Sequence, residues 1–300
     1  MQHRDYSVCV DSASAATLFM RRSLDEAKPT KLSFSPRELP EFMSYQLVRR
    51  KQYTTVSASE SPAAGVLSNA DHEAGYSTAE EASFAAAVYR KSLEPFLVKL
   101  PKREIVLEIG TGSGIFLGAL KQLGFGEQVG IEPSPATIAA AADDVKFYIR
   151  EGAFTGDEFP AGSMSFICCF QTLEHMPEPR GFMEAAFRML EPGGMIALIT
   201  HDYTALINRL LRGRSPTIDI KHLQLFCPES SRCLVYSTGY VLHDVQSIQN
   251  IYPLSYWLSL LPLSSFFESF ALEVMKATHL ARMPTTLNVG NLLTVAQKRM

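Results

Sequence analysis

The sequence predicts an α/β fold, a Rossmann-like sheet of seven mostly parallel strands with helices on both faces. Three observations support this prediction. Strand and helix signals alternate from residue 77 onwards, the strand segments are apolar along most of their length, and a glycine-rich turn follows the first of them. Alternation of this kind is typical of a parallel sheet that helices cover on both faces. We therefore expect one α/β unit over residues 77–300.

The elements follow one another in a regular order. Ser77 and Glu80 have the spacing of a capping box, in which each side chain satisfies a free backbone amide, so a helix is expected to begin here. After it, short apolar runs predict strands, and the segments between them carry apolar residues at helical spacing. The predicted strands are 104–109, 127–132, 145–149, 165–170, 195–200, 240–246 and 291–299.

Two segments lie outside this regular pattern. Residues 1–76 are rich in Ser, Ala, Pro and mixed charges, so we expect a partly irregular N-terminal arm or cap with some short helices. An insertion at about 250–288 precedes the last strand. Its aromatic stretch, 252–267, is shorter than the roughly 20 residues that a membrane span needs. For this stretch we favour the lining of an acceptor pocket over contact with a membrane surface.

Composition narrows the classes of function. A chain of 300 residues that is 46% hydrophobic and 20% charged can bury a sizeable core, and its net charge of -3 gives no general attraction to nucleic acid. The five cysteines form no Cys-x-x-Cys pair, and the N-terminal residues hold no apolar segment of the signal-peptide type. We therefore expect a cytoplasmic protein with reduced cysteines and no nucleic-acid partner.

The turn after the first strand, EIGTGSG at residues 108–114, allows two interpretations. A dinucleotide-binding fold needs the pattern G-x-G-x-x-G, so that a pyrophosphate can lie on the helix N-terminus. Counted from Gly110, the third glycine would fall at Ile115, and counted from Gly112 it would fall at Leu117. The dinucleotide pattern therefore fails in both registers.

The same turn resembles motif I of the class I S-adenosylmethionine-dependent methyltransferases, in which an acid stands two residues before the first glycine. The resemblance continues through Glu132 at the end of the second strand, FQTLEHMPEP after the fourth and LEPGGMIALIT leading into the fifth. The tail is similar to the small-molecule and glycan branch of that family. Together these segments imply a methyltransferase domain over residues 77–300 with S-adenosyl-L-methionine as its cofactor.

The resemblance also implies the residues that bind the cofactor. The glycines would let the backbone pass close to its amino-acid end, Glu108 would hold its ammonium group, and Glu132 would hold its ribose hydroxyls. The family has an acid after Gly152, where this chain has Ala153, so the adenine amine would need another partner, such as a backbone carbonyl or Asp157. The implied cofactor residues are Glu108, Gly110, Thr111, Gly112, Gly114, Glu132, Ala153, Phe154, Gln171 and Leu173.

Three histidines are the candidates for catalysis. Transfer to a hydroxyl usually needs a general base, most often histidine, whereas an amine needs only its lone pair. We rank His222 and His201 above His175; all three follow the fourth and fifth predicted strands. None belongs to a recognisable set of metal ligands, so no metal site is predicted.

The expected function is methyl transfer to a hydroxyl, or an amine, of a small molecule or glycan. The alternative is a non-catalytic protein that binds S-adenosylmethionine as a partner or sensor. A third interpretation uses residues 252–267 as an anchor on a membrane surface. The sequence leaves the acceptor and the oligomeric state open.

Overall fold

The described residues form both strands and helices. In a computed structural model, the described residues are 16–21, 46–50, 56–58, 79–211, 215, 217, 222–259, 265–278 and 280–300. Their strands are β1 (Ala16–Arg21), β2 (Gln46–Arg50), β3 (Val56–Ala58), β4 (Ile105–Ile109), β5 (Glu127–Glu132), β6 (Ile149–Glu151), β7 (Met164–Phe170), β8 (Leu190–His201), β9 (Gln224–Leu225), β10 (Val241–Pro253) and β11 (Pro284–Gln297). Two sheets are built from these strands, and the larger one carries the candidate functional site.

Helices occupy the connections between these strands. They are α1 (Ala79–Leu97), α2 (Ile115–Gln122), α3 (Pro135–Ala139), α4 (Asp143–Lys146), α5 (Pro179–Met189), α6 (Leu206–Leu211), α7 (Pro228–Ser237), α8 (Leu254–Ser259) and α9 (Ser265–Ala277). A short 3-10 turn, Leu173–His175, follows β7. It stands at the edge of the sheet where the candidate site is formed.

The larger sheet has seven strands in the order β10-β11-β8-β7-β4-β5-β6. The five strands from β8 to β6 are parallel, whereas β11 runs antiparallel to both β8 and β10. The predicted mostly parallel, seven-stranded sheet is therefore confirmed. The chain runs from β4 to β5 and β6 on one side of β4 and then crosses to β7 on the other side, and such a reversal opens a crevice at the carboxyl ends of the strands.

Apolar residues fill both faces of this sheet. On one face, α1 and α2 pack against β4, β7, β8 and β11, with Leu93 and Phe166 fully buried. On the other face, α5 and α7 cover the alternate residues of the same strands, among them Ile167 and Ile196. This is why the central strands are continuously apolar, since each of their faces is covered by helices.

The third parallel strand differs from the prediction. The sequence suggested a strand over 145–149, but residues Asp143–Lys146 form α4, and the strand is Ile149–Glu151. Asp143 and Asp144 occupy the first turn of α4, where negative charge is favoured by the helix dipole. The apolar run therefore includes a helix end and Phe147, a residue that is 93% exposed, rather than a buried strand.

The N-terminal arm contains strands where the sequence predicted irregular chain and short helices. Its described residues form β1, β2 and β3, which make an antiparallel four-stranded sheet with β9. Val56 in β3 is fully buried against Tyr203, Leu225 and Cys227. The arm therefore joins the larger unit at β9, two residues after His222.

The aromatic insertion lies between two strands that are longer than predicted. β10 and β11 continue as an antiparallel pair out to Pro253 and Pro284, beyond the predicted 240–246 and 291–299. The described residues between them form α8 and α9. None of the helices in the described residues has the length and apolar character needed to cross a membrane.

Candidate active site

The glycine turn between β4 and α2 has a backbone conformation that residues with side chains rarely adopt. Gly110, Gly112 and Gly114 have φ values of 70°, 57° and 74°, all in the left-handed region. A Cβ on Gly110 would lie 2.1 Å from Oγ1 of Thr172, and one on Gly114 would lie 2.6 Å from Val145, so both glycines are also required by packing.

Gly112 differs from the other two glycines because it faces open space. A Cβ placed there would meet nothing closer than Cγ2 of Thr137 at 4.0 Å. A glycine whose backbone is reachable, at the crevice of an α/β sheet, allows a ligand to approach the peptide directly. Of the three glycines, Gly112 is the one whose lack of a side chain fits contact with a ligand.

Glu132, the last residue of β5, is held against the glycine turn. Its Oε2 accepts a hydrogen bond from the backbone N–H of Gly112 at 2.9 Å, and its Oε1 accepts one from Ser134 at 3.0 Å. The carboxylate is buried and fixed in direction by these two bonds. It therefore lies at the tip of β5 beside the open backbone of Gly112, as the ribose-binding interpretation requires.

Glu108 lies deeper, within β4. Its Oε2 accepts a hydrogen bond from Oγ1 of Thr111 at 2.6 Å, and the residue is 3% exposed. Burial raises the pKa of Glu108 to about 8; the Thr111 hydroxyl opposes this rise and the nearby Glu132 charge adds to it. A cationic ligand at the turn would favour the ionised form of this carboxyl.

The segment after β6 lies next to Glu132. The backbone N–H of Gly152 donates to the carbonyl of Glu132 at 3.0 Å, which places Ala153 and Phe154 beside the end of β5. Ala153 is exposed, and the Phe154 ring lies against Phe182 at 5.3 Å between centroids. This edge is apolar on the side of Phe154.

The segment after β7 forms the opposite wall of the turn. Gln171 has a φ of 51°, an uncommon conformation outside glycine, and its N–H donates to the Ile199 carbonyl at 2.7 Å. Leu173 is fully buried in the core, so its side chain serves packing. The Thr172 side chain of this segment lies against Gly110.

A polar cluster follows the ends of β7 and β8. Its centre is Glu174, which is 2% exposed and whose Oε1 lies 2.7 Å from Nδ1 of His201. The His222 ring lies 5.3 Å from that of His201 and 5.0 Å from that of His175, between centroids. The structure therefore brings together all three predicted histidines, around an acid that the sequence analysis did not select.

The charge of Glu174 follows from this arrangement. Burial alone would raise the pKa of its carboxyl, but the hydrogen bond from His201 and the charges of the three histidines lower it to about 2. A carboxylate can only accept hydrogen bonds, so Nδ1 of His201 must carry the hydrogen. Nε2 is then the basic nitrogen of His201, an arrangement that suits removal of a proton.

Glu174, His201 and His222 could also hold a metal ion. Each offers one ligand atom, and these three atoms all lie within 4.8 Å of one another. The sequence predicts no metal site, because none of the three histidines belongs to a recognisable set of metal ligands. The sequence did hold one sign of this site, because Glu174 directly precedes His175, one of the three histidine candidates.

An aromatic wall formed by Tyr252, Tyr256 and Trp257 contacts α1 through the ring of Phe84. The rings of Tyr252 and Tyr256 lie 4.2 Å apart between centroids, and Trp257 packs against both. Tyr89 of α1 is buried, and its ring contacts Phe170 at 5.2 Å. Burial raises the pKa of the Tyr89 hydroxyl, and the neighbouring Tyr252, Glu174 and Tyr256 raise it further.

Several buried polar atoms in this region have no hydrogen-bond partner. They include the Tyr89 hydroxyl, Oδ1 of Asn250, Nδ2 of Asn291 and Oε2 of Glu174. Leu293 belongs to the core on the α1 face, and the regular alternation of β11 from Asn291 to Leu293 places Asn291 on that face. Buried polar groups normally have partners, so this grouping fits the binding of a polar ligand.

Comparison with known proteins identifies the class of the chain. Residues 82–245 match a family described as "Methyltransferase domain". Because the match covers more than half of the chain, the protein belongs to this family, the class I S-adenosylmethionine-dependent methyltransferases. The expected cofactor class is therefore confirmed.

Two relatives give a finer comparison. The chain is similar to the ubiquinone biosynthesis O-methyltransferase of Pseudomonas entomophila, with 30% identity over 102 residues, covering 32% of this chain and 43% of that protein. It is also similar to the enzyme of the same name from Shewanella pealeana, with 31% identity over 118 residues, covering 38% and 48%. The matched region spans about half the length of these curated relatives.

Among solved structures, the chain is similar to an S-adenosylmethionine-dependent methyltransferase from Archaeoglobus fulgidus. The two share 16% sequence identity with a TM-score of 0.48, and the match covers 71% of this chain and 94% of the other.

Proposed function

We propose that this protein transfers a methyl group from S-adenosylmethionine to a hydroxyl group of a small molecule. The observation that carries the proposal is the Glu174–His201 pair, held at 2.7 Å at the end of β8. It supplies an oriented base at the edge of the sheet that also bears the glycine turn. The names of the two relatives, both O-methyltransferases, support a hydroxyl acceptor.

The residues of the glycine turn fit the cofactor. The open backbone of Gly112 would face its amino-acid end, and the carboxyl of Glu108 would hold its ammonium group. Glu132 would accept from the ribose hydroxyls, because its carboxylate is already directed to the tip of β5. Ala153 and Phe154 would border the adenine, and the backbone at Gln171 and Leu173 would line the methionine portion.

The chemistry requires an acceptor oxygen in line with the methyl group. When bound, the cofactor supplies a methyl carbon on a sulfonium: the acceptor oxygen forms the new C–O bond, and the C–S bond breaks with its electron pair moving to sulfur. The protein must remove the hydroxyl proton and align the oxygen. His201 would take that proton at Nε2, and Glu174 would stabilise the resulting imidazolium through Nδ1.

The acceptor would lie between the cluster and the aromatic wall. Tyr252, Tyr256 and Trp257 present ring faces and edges, which suit an aryl ring or an apolar chain. The unpartnered atoms of Tyr89, Asn250 and Asn291 would bind polar groups of the same molecule. This combination favours a compact acceptor that has both an apolar body and several polar groups. We rank such an acceptor above a glycan, and a nucleic acid below both.

A screen with isotopically labelled S-adenosylmethionine tests the proposal. The full chain is incubated with phenols, catechols, simple sugars and amines, and mass spectrometry locates the added carbon. Label on an oxygen of a small molecule is the expected result. Label on nitrogen alone would contradict the hydroxyl acceptor. Tight cofactor binding without transfer to any compound would favour the non-catalytic binding protein instead.

A further inference from the structure

The cluster at the ends of β7 and β8 has the composition of a metal site. Its three potential ligands come from separate segments: Glu174 from the 3-10 turn, His201 from the last position of β8, and His222 from the residues before β9. One ligand atom from each lies within 4.8 Å of the other two. Such convergence of residues far apart in sequence depends on the fold.

A second observation points to a ligand at this place. Oε1 of Glu174 accepts from His201, but Oε2 is buried and has no hydrogen-bond partner. Leaving a carboxylate oxygen without a partner in the protein interior is costly, because the charge loses its hydration. A cation bound at Oε2 would remove this cost.

The histidine rings are already oriented. Nδ1 of His222 lies 2.7 Å from the carbonyl oxygen of Thr217, and Nδ1 of His201 lies 2.7 Å from Glu174. Metal-bound histidines typically donate their second ring N–H to a carbonyl or a carboxylate, which fixes the tautomer and makes the other nitrogen a better ligand. His222 has this outer contact at Thr217. His201 differs, because the carboxylate beside its Nδ1 is that of Glu174, so an ion bound by both residues would take the place of the hydrogen between them.

From these observations we infer that Glu174, His201 and His222 bind one divalent transition-metal ion. We take Zn²⁺ as the representative ion. Two imidazole nitrogens and one carboxylate oxygen form a ligand set that suits zinc and its neighbours in the first row. Mg²⁺ prefers an all-oxygen octahedral shell and would bind weakly. Three protein ligands leave a coordination position open, as in catalytic zinc sites.

The role of the ion rests on the proposed function. An ion at this position would bind the acceptor oxygen and lower the pKa of the hydroxyl, so that the proton leaves to solvent or a neighbouring base before the methyl group is transferred. His201 would then act as a ligand, and the ion would perform the activation assigned above to Nε2. Metal binding itself does not depend on the identity of the acceptor.

The test is metal titration of the full chain after treatment with a chelator. Zn²⁺ binding is measured by calorimetry, and Co²⁺ serves as a spectroscopic probe because its visible absorption reports nitrogen and oxygen ligation. We expect one ion per chain, with Mg²⁺ unable to compete at equal concentration. Glu174→Gln and His222→Ala should each weaken Zn²⁺ affinity by at least about tenfold, and together they should abolish the Co²⁺ spectrum.

Two matched control variants distinguish loss of a metal ligand from general loss of the fold. His243→Gln removes a histidine whose Nε2 contacts Gln297 on β11, and Glu184→Gln removes an exposed carboxylate of α5. Both should bind Zn²⁺ as the wild type does. Binding of S-adenosylhomocysteine to each variant verifies that the fold is retained, and His222→Ala serves if the buried Glu174→Gln variant fails to fold.

The outcomes distinguish this inference from the proposed function. Absence of Zn²⁺ and Co²⁺ binding, or equal binding by the wild type and the double variant, would overturn the metal site while leaving methyl transfer by His201 intact. Full transfer activity in metal-free protein would overturn the role of the ion in activation. Metal binding that follows the variants, even if no acceptor is methylated, would support the site and count only against the proposed function.

Discussion

Two regions of one crevice differ in how they are built. The cofactor side, at the ends of β4 and β5, is assembled within residues 108–134, and each of its carboxylates is bonded to the turn itself. The acceptor side, at the ends of β7 and β8, draws Glu174, His201 and His222 from segments far apart in the chain. A local motif therefore defines the first region, and only the tertiary fold defines the second.

This difference explains which functions a substitution should disturb. On the cofactor side, we propose that side chains and backbone hold a ligand whose binding can be measured without any reaction. On the acceptor side, the Glu174–His201 bond orients a group that matters once an acceptor oxygen is present. If the two regions are separate in this way, changes in one should affect affinity and changes in the other should affect turnover.

The largest effect is expected on the acceptor side. Replacing His201 with Gln removes the oriented nitrogen and should lower turnover by about 10²- to 10⁴-fold, the usual contribution of general acid–base catalysis. Affinity for S-adenosylhomocysteine should stay unchanged because Gly112 and Glu132 are untouched. Single-turnover kinetics and calorimetry measure the two quantities. His243→Gln is the control, and an equal loss in that variant, or undiminished turnover in His201→Gln, would remove His201 from the reaction.

The next effect is on the cofactor side. Val at position 112 would place a side chain in the open space above the turn, in a left-handed conformation that suits glycine. We expect S-adenosylhomocysteine affinity to fall by about 100-fold or more, near 3 kcal/mol. Gly118→Ala is the control, since a Cβ in that part of α2 meets nothing within 4 Å. Native affinity in the Gly112→Val variant would show that the ligand lies elsewhere.

A smaller loss is expected at the tip of β5. Replacing Glu132 with Ala removes the acceptor assigned to the ribose hydroxyls and should weaken cofactor binding by about 1 to 3 kcal/mol, the range for hydrogen bonds to a charged group. Glu127, exposed at the start of the same strand, provides a matched Glu127→Ala control. Calorimetry measures the cofactor affinity of both variants. Equal affinities of the Glu132→Ala and Glu127→Ala variants would show that Glu132 does not bind the ribose.

The smallest effect is the number of protons released when the cofactor binds. With a pKa of about 8, Glu108 is mostly protonated at pH 7 without ligand, and the ammonium group of the cofactor would favour its ionised form. Binding at pH 7 should therefore release up to about one proton, falling towards zero above the pKa of Glu108. Calorimetry in two buffers of different ionisation enthalpy measures this release. The Glu108→Gln variant should show none, and persistence of the signal there would assign it to another group.

The same contrast accounts for what the sequence could predict of the fold. Continuously apolar segments identified the central strands, because burial on both faces leaves a strong local pattern. The third strand was placed at 145–149 because Phe147 and Tyr148 are apolar, although the structure exposes Phe147 after α4. The strands of the arm were missed because β3 is ordered by contact with Tyr203 and Leu225, which no local pattern reveals.

The site follows the same rule. The glycine spacing and two acids were sufficient to propose the cofactor side, and the structure adds that Gly110 and Gly114 are also required by packing. The histidines were selected by their positions after strands, but Glu174 was not, since its importance comes from a long-range bond to His201. The unpartnered polar atoms of Tyr89 and Asn250 are visible only once α1 lies against β10.

A crystal structure of the protein with S-adenosylhomocysteine tests most directly whether the two regions form one site. The account predicts that the ribose hydroxyls lie on Glu132, that the amino-acid end crosses Gly112, and that the sulfur atom faces the Glu174–His201–His222 cluster. A ligand bound away from the glycine turn, or one whose sulfur points away from that cluster, would contradict it.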